Sequence, residues 1–195
     1  MLKFVDYVKT IFPNIDPYIE SETKKSLLQF KETGKSCGYS TTYIFDYLSQ
    51  GDIIEGIPFS RISADGSISA FRGKGIVLSN TCSCDHDDSI LVAPFIDISK
   101  YGKDRSTIKD NLNYKLMYLP EYKDLVIDFS LSNAINKNLI KNQIESGAMR
   151  KERTLNVIGF YLLIAKLTVC FLRPENAEVQ SVRKDKYYSS ISSTT

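Results

Sequence analysis

The chain has 195 residues, with 25 Lys and Arg against 23 Asp and Glu, a formal net charge of +2. This length suffices for a domain with a hydrophobic core, and an apolar fraction of 43% is too high for a disordered chain. The near balance of charge excludes nucleic-acid binding through overall charge, so such a site would have to be a local basic patch.

The N-terminal part of the chain is predicted to be helical. Apolar residues recur there at helical spacing, in a stretch too often interrupted by charge for a signal peptide, namely Leu2, Val5, Val8 and Phe12. Pro13 ends this helix, and Asp16-Pro17 is a good start for a second one that runs to about Glu32. The short apolar run from Tyr43 to Leu48 predicts a further helical turn.

From Gly51 to about Phe129 the pattern changes to short strands. The runs that predict them are IIEGIPFSRI, GKGIVLSN, SILVAPFI, YKLMYLP and LVIDFSL. Gly56 and Pro58 indicate a bulge or an edge in the first run, and the residues 64–67 are a hairpin turn signal. Strands at this spacing favour a small antiparallel barrel or a strongly bent sheet over βαβ units.

The last third of the sequence predicts helices. Ser132 or Asn133 can cap a helix that continues through Ile144. The apolar stretch 154–172 predicts a longer helix, which Lys166 interrupts too early for a membrane span of about 20 residues. We therefore expect this helix to pack against the rest of the protein and not to enter lipid.

The run TCSCDHDD concentrates two thiols, the only imidazole and three carboxylates. Cys82, Cys84 and His86 are candidate zinc ligands, but their spacing is too tight to close a tetrahedral site. Cys37 or Cys170 would complete it only through long-range folding. A Cys/His nucleophile pair is another alternative, although it lacks a third, orienting group. The simplest interpretation is a polar hairpin connection, with no metal, no cofactor and reduced thiols in a cytoplasmic protein.

Polar residues flank the predicted strand GIVL on both sides. The residues that follow it, where a loop commonly contacts ligands, are Ser79, Asn80 and Thr81. Arg72 and Lys74 precede the strand, and together with Arg61 they would hold a phosphate-sized anion near one end of a barrel. The alternative is ordinary solvated surface charge.

Five segments follow one another in a recognisable order between residues 50 and 140. They are QGDII, a basic pair flanked by glycines, GIVLSN, ILVAP, and LVIDF with the helix predicted after it. In order and spacing they resemble the framework of the PemK/MazF/Kid-type toxins. The resemblance implies an α+β, mainly β chain built on a small SH3-like antiparallel barrel, which is usually dimeric and cleaves single-stranded RNA without a metal.

The resemblance also implies roles for particular residues. The family's first basic residue corresponds to Arg72 or Lys74, and its hydroxyl residue corresponds loosely to Ser99, so these three are the predicted catalytic residues. The predicted substrate-binding residues are Arg61, Ser79, Asn80 and Thr81. Where some relatives carry a basic residue after the aspartate of the last strand, this chain departs from the pattern and has Phe129, Ser130 and Leu131.

Two functions therefore remain open. One is a metal-independent endoribonuclease of a toxin–antitoxin or anti-phage defence system, with an antitoxin or defence-complex protein and a second copy of the chain as partners. The other is a non-catalytic PemK-like module that binds a nucleic acid or a protein, and a Cys/His/Asp metalloprotein is a third interpretation. The expected organisation is a helical segment at 1–49, the barrel at 50–140, a helical extension at 141–174 and a mobile or partner-ordered Ser/Thr-rich tail at 175–195.

Overall fold

A computed structural model supplies the structure, which describes residues 38–102, 105–172 and 176–183 and five separate earlier positions, 21, 24, 25, 28 and 32. The helix predicted for residues 1–12 lies outside the described residues. The five separate positions are helical, as predicted for the second N-terminal helix. Residues 177–183 are also helical, so this part of the predicted tail has regular structure, while residues 184–195 lie outside the description.

The described chain combines an antiparallel sheet with helices, which confirms the predicted α+β class. Its strands are β1 (Ser40–Thr41), β2 (Asp52–Ile62), β3 (Ile68–Val77), β4 (Ser89–Asp97), β5 (Leu116–Tyr118), β6 (Leu125–Asp128), β7 (Asn133–Asn136) and β8 (Arg150–Leu155). Its α-helices are α1 (Thr81–His86), α2 (Arg105–Lys109), α3 (Lys137–Glu145) and α4 (Val157–Phe171). Short 3₁₀ turns follow β4, β5 and β6 at Ile98–Tyr101, Pro120–Tyr122 and Phe129–Leu131.

The sheet is open, which corrects the prediction of a barrel. Its strand order is β1-β8-β2-β3-β4-β6-β5, with β7 also pairing with β4, and every pairing is antiparallel. Among the described strands, β1 and β5 end this path without pairing with each other. β1 is only two residues long, which is too short to close a barrel. An SH3-like barrel is therefore not the architecture of the described chain.

The hairpin of β2 and β3 has the predicted turn and bulge. Gly66 has a φ of +81° in the turn, where the amide of Ser63 donates to the carbonyl of Ser67 at 2.9 Å. The register between the two strands shifts around Gly56, whose φ is +87°. A Cβ at Gly56 would also lie 2.8 Å from the carbonyl oxygen of Ala148, so both the backbone conformation and the close approach require glycine.

Buried side chains form one core on each face of the central strands. Because successive strand residues point to opposite faces, Ile53 enters one core and the neighbouring Ile54 enters the other. Helix α4 contributes Leu162 to the first core, and α3 contributes Ile140 to the second, which also contains Val77 of β3. Burial of both faces explains the apolar runs at the start of β2, at the end of β3 and along β4.

Two sheet strands occupy segments that we predicted to be helical. β7 pairs Ile135 with Ile90 of β4, so the helix expected from Ser132 or Asn133 begins only at Lys137. The side chain of Asn136 caps that helix. The predicted helical extension likewise contains β8, which lies between β1 and β2 and includes a basic cluster of Arg150, Lys151 and Arg153.

The run from Tyr43 to Leu48 is irregular, and the predicted helical turn is wrong. Lys151 of β8 donates from its Nζ to the carbonyl oxygens of Phe45 at 2.8 Å and Tyr47 at 2.7 Å. The same Nζ lies 2.8 Å from the carboxylate of Asp52, which is fully buried. Carbonyls that would pair within a helix are thus held by a lysine from a distant strand.

Helix α4 packs on the sheet as predicted, although it begins at Val157 after the Asn156 cap. Lys166 is fully buried in this helix and donates to the carbonyl oxygens of Asn111 and Asn113. These acceptors explain how a lysine is tolerated within an apolar helix. In the part of the chain that the structure describes, we find no helix with the length and apolar character needed to cross a membrane.

The buried Lys166 should make stability depend on pH. Burial lowers the pKa of Lys166 to about 7, partly opposed by Cys170. The unfolded chain, with an ordinary lysine pKa near 10.4, then binds more protons than the folded one between about pH 7 and pH 10. The free energy of unfolding should therefore rise with pH across this window, by at most about 1.4 kcal/mol per pH unit from this group.

Urea unfolding at several pH values, compared with Lys166→Met, measures this effect. Groups that titrate in both proteins cancel in the difference. The free energy of unfolding of the wild type, minus that of the variant, should therefore increase from pH 7 to pH 10. Parallel pH profiles would show that the two carbonyl acceptors keep Lys166 charged.

Candidate functional site

The predicted site residues do not lie together but are spread along the central strands. Arg61 pairs with Ser69 at the start of β3, whereas Ser79 follows the other end of that strand. β4 runs antiparallel to β3, so Ser99, just beyond the end of β4, lies toward the same end of the sheet as Arg61. The structure thus separates Arg61 and Ser99 from the segment 79–81.

Lys74, a predicted catalytic residue, is already paired. Its Nζ forms an ion pair with Glu152 of β8 and a second one with Glu55 of β2 at 3.2 Å. It also lies 5.2 Å from the ring centre of Tyr122, and its side chain is only 17% exposed. Two carboxylates neutralise this ammonium group, which leaves it poorly suited to binding a phosphate.

The partners of Arg72 among the described residues are uncharged. Its Nη1 donates to the carbonyl oxygen of Gly56 at 3.0 Å and to the side-chain oxygen of Gln143 at 3.1 Å. These bonds hold the exposed guanidinium against β2 and α3 without neutralising its charge. Arg72 is therefore a positioned surface cation, but it does not share a described cavity with Arg61.

The three polar residues after β3 form hydrogen bonds with the protein's own backbone. The hydroxyl of Ser79 accepts from the amide of Leu91 at 2.8 Å, and the side chain of Asn80 caps α1. The hydroxyl of Thr81 accepts from the amide of Gln50 at 3.2 Å. Each side-chain oxygen satisfies a backbone donor, which accounts for these residues structurally.

A surface cavity of about 440 Å³, which we call the Arg61 cavity, lies at the other end of the sheet. It is formed where β2 ends, β3 begins and the 3₁₀ turns after β4 and β6 leave the sheet. Its lining residues are Arg61, Ser69, Phe71, Ile96, Lys100, Tyr101, Asp128, Ser130 and Leu131. Of the predicted residues only Arg61 lines it. Ser99 does not, although Lys100 and Tyr101 of the same turn do.

A buried carboxylate network organises the Arg61 cavity. Asp128 accepts hydrogen bonds from the hydroxyl of Tyr101 at 2.6 Å and from the amide and hydroxyl of Ser130 at 2.8 and 2.6 Å. Burial and the bond to Asp128 raise the pKa of Tyr101 well above its ordinary value, so its hydroxyl is neutral. The network joins the turn after β4 to the turn after β6 and so fixes the position of Lys100 beside Tyr101.

Two cations and an aromatic ring line the same cavity. Neither Arg61 nor Lys100 forms an ion pair with a carboxylate of another described residue. Phe71 is 38% exposed and stacks on the buried Phe59, with ring centres 5.4 Å apart and planes 24° apart. The cavity therefore offers two cations without an ion-pair partner among the described residues, together with the carboxylate of Asp128 and the partly exposed ring of Phe71.

Ser99 lies outside the lining of this cavity. It is exposed in the turn Ile98–Tyr101, and its amide donates to the carboxylate of Asp97 at 2.7 Å. Hydrogen bonds from the side chain and amide of Ser99 lower the pKa of Asp97. The serine acts locally as part of a turn, and the residues next to it face the cavity.

The cysteine-rich run connects the antiparallel strands β3 and β4, as the predicted hairpin connection would, and it forms the helix α1 within that connection. Cys82 is exposed and Cys84 is buried, since residues two apart lie on different sides of a helix. Burial and the charge of Asp52 raise the pKa of the Cys84 thiol to about 11. No group of three or more potential ligands that would hold a metal occurs among the described residues, which do not include Cys37.

Sequence analysis missed Phe71, Lys100, Tyr101 and Asp128. The only signal available was the aspartate near the end of the last predicted strand, which we used only to locate the residues after it, where a basic residue was missing. No protein-family model matches the chain, and no curated protein matches it significantly. The fold and site therefore define a class, an α+β protein with a basic, aromatic-lined cavity at one end of an open antiparallel sheet.

Proposed function

We propose that the protein binds single-stranded RNA at the Arg61 cavity and cleaves it without a metal ion, as part of a toxin–antitoxin or anti-phage defence system. The observation that carries the proposal is that two cations without an ion-pair partner among the described residues line one cavity with a supported aromatic ring. The resemblance of residues 50–140 to PemK/MazF/Kid-type toxins supports cleavage as the activity.

The lining residues fit a phosphate next to an unstacked base. A guanidinium such as that of Arg61 can contact two phosphate oxygens at once, while Lys100 adds a point charge. Phe71 presents a ring on which a base can stack, and base–aromatic contacts are worth about 1–3 kcal/mol each. Stacking on protein requires a base that is free of a duplex, which favours single-stranded RNA as the substrate.

Cleavage would use the ribose itself. The 2′-oxygen attacks the adjacent phosphorus and loses its proton to solvent, while the bond from phosphorus to the 5′-oxygen breaks and that oxygen takes up a proton. The products are a 2′,3′-cyclic phosphate and a free 5′-hydroxyl. Arg61 and Lys100 would stabilise the negative charge that grows on the phosphate oxygens during this step.

One observation favours a second candidate, a binding module without catalysis. Asp128 is the one carboxylate among the residues that line the cavity, and three hydrogen bonds already hold it in a buried position. The lining therefore offers no unoccupied general base. Such a cavity would hold RNA without accelerating the attack of the 2′-oxygen by proton transfer.

The test uses the purified chain with a labelled single-stranded RNA and the DNA of the same sequence, both in excess EDTA. We expect cleavage of the RNA alone, with fragments that end in a 2′,3′-cyclic phosphate. Binding of RNA that stays intact would favour the second candidate. If the protein neither binds nor cleaves RNA, the proposal is wrong.

A further inference from the structure

A second cavity, of about 370 Å³, lies beyond the opposite end of β3. We call it the Tyr47 cavity, and it is lined by α1 together with Tyr47, Leu48 and Lys141. The RNA site proposed above does not use it. Its volume is in the range of small-ligand sites, and its composition differs from that of the Arg61 cavity.

The aromatic wall of the Tyr47 cavity is the ring of Tyr47, which other side chains support. Tyr47 stacks on Phe45, with ring centres 5.2 Å apart and planes 18° apart, and Phe45 meets Tyr43 edge to face at 5.5 Å. The buried pair of Lys151 and Asp52 fixes the carbonyls of this irregular segment. Tyr47 is 57% exposed, so its ring, supported by Phe45, is accessible to a ligand.

The charge around this wall favours a cation over an anion. Asp85 lines the cavity, and its carboxylate forms no ion pair with another described residue. Asp46 adjoins Tyr47 in the chain, and Asp87 and Asp88 follow directly after α1. Lys141 and the imidazole of His86 also line the cavity, and Lys137 donates from its Nζ to the carbonyl oxygen of Asp85 at 2.6 Å. Four carboxylates still outnumber these two ammonium groups, so a single-stranded nucleic acid would meet more negative than positive charge here.

We propose that the Tyr47 cavity binds a guanidinium group, stacked on the ring of Tyr47 and paired with the carboxylate of Asp85. A planar guanidinium combines both interactions, because it stacks on aromatic faces and donates two parallel hydrogen bonds to a carboxylate. The apolar side of the cavity, which includes Leu48, suits the methylene chain that carries such a group. The group can come from a free guanidino compound or from an arginine of another protein.

The test follows ¹⁹F resonances of the full chain labelled with 3-fluorotyrosine, in which Tyr47→Phe identifies the signal of Tyr47. The probe is arginine amide at constant ionic strength, and citrulline amide, which has the same shape without the charge, is the matched control. We expect a saturable shift of the Tyr47 signal with arginine amide and no comparable shift with citrulline amide.

Three variants separate the proposed contacts from general charge effects. Asp85→Asn should weaken binding at least fivefold, whereas Asp88→Asn, which changes a neighbouring charge outside the lining, should weaken it less than twofold. Lys141→Met should tighten binding, since it removes a like charge. Equal shifts with both probes, or an Asp85→Asn variant that binds as well as the wild type, would overturn the proposal.

Comparison with an extended peptide carrying one central arginine identifies the source of the group. Tenfold tighter binding of the peptide than of arginine amide would assign the site to an arginine of a protein. Equal or weaker binding of the peptide would assign it to a free guanidino compound. RNA cleavage or binding at the Arg61 cavity is measured separately, so failure of either proposal does not affect the other.

Discussion

Replacing Arg61 by Ala should lower the rate of RNA cleavage by about 10²–10³-fold, the usual cost of removing one preorganised charge from a developing oxyanion. Arg61 has no carboxylate partner among the described residues, so its charge is available to the substrate. Lys100→Ala should have a similar effect. If the protein only binds RNA, the same variants should show the loss as weaker affinity with a smaller dependence on salt.

The matched control is Lys74→Ala, with folding of each variant checked by thermal melting. Because Glu55 and Glu152 already neutralise Lys74, its removal should change RNA cleavage or affinity less than about threefold. Arg72→Ala tests the other residue of the predicted pair in the same assay. Loss of activity in folded Lys74→Ala, with full activity in Arg61→Ala, would show that the site lies at the middle of β3 and not at the Arg61 cavity.

Asp52→Asn should destabilise the protein by about 3–5 kcal/mol, the usual cost of removing one partner of a buried ion pair. Asp52 is fully buried, and the side chain of its partner Lys151 is only 10% exposed. Asp52 also accepts from the amide of Ser49 at 2.8 Å and from its hydroxyl at 2.9 Å. The substitution leaves a buried ammonium group uncompensated and weakens the support of the segment 43–48.

Urea unfolding of the variants measures this cost, with the exposed Asp124→Asn as the control, which should change stability by less than about 0.5 kcal/mol. The double variant Asp52→Asn/Lys151→Met should lose less than the sum of the two single variants, because either substitution alone already breaks the pair. A loss below about 1 kcal/mol for Asp52→Asn would mean that water reaches Lys151 and solvates it.

The strands that could be predicted are those whose burial is indicated by a local run of apolar residues. The start of β2, the end of β3 and most of β4 carry apolar runs because both faces are buried there. The sequence of β8 is a basic cluster, since only Thr154 and Leu155 at its end are buried. It lacks the alternation of apolar and polar residues that would predict a strand. Strand pairing, which makes β8 part of the sheet, is decided by residues far away in the chain.

The site was only partly predictable for the same reason. Arg61 was selected for its charge and does line a cavity, but Lys74 was selected on the same grounds and is neutralised. The carboxylate that pairs most closely with Lys74, Glu152, is 78 positions away along the chain. Proximity of that kind is a property of the folded sheet, and no local motif records it.

The place of β8 in the sheet has a consequence for synthesis on the ribosome. Residues 52–55 of β2 pair with residues 150–154, and Ser40 pairs with Leu155. Until the last of these residues leaves the exit tunnel, the apolar start of β2 has no neighbour on one side, and such an edge can pair with other nascent chains. Chaperone protection during translation would therefore matter most before residue 155 emerges, and a message truncated upstream of it would yield a product prone to aggregation.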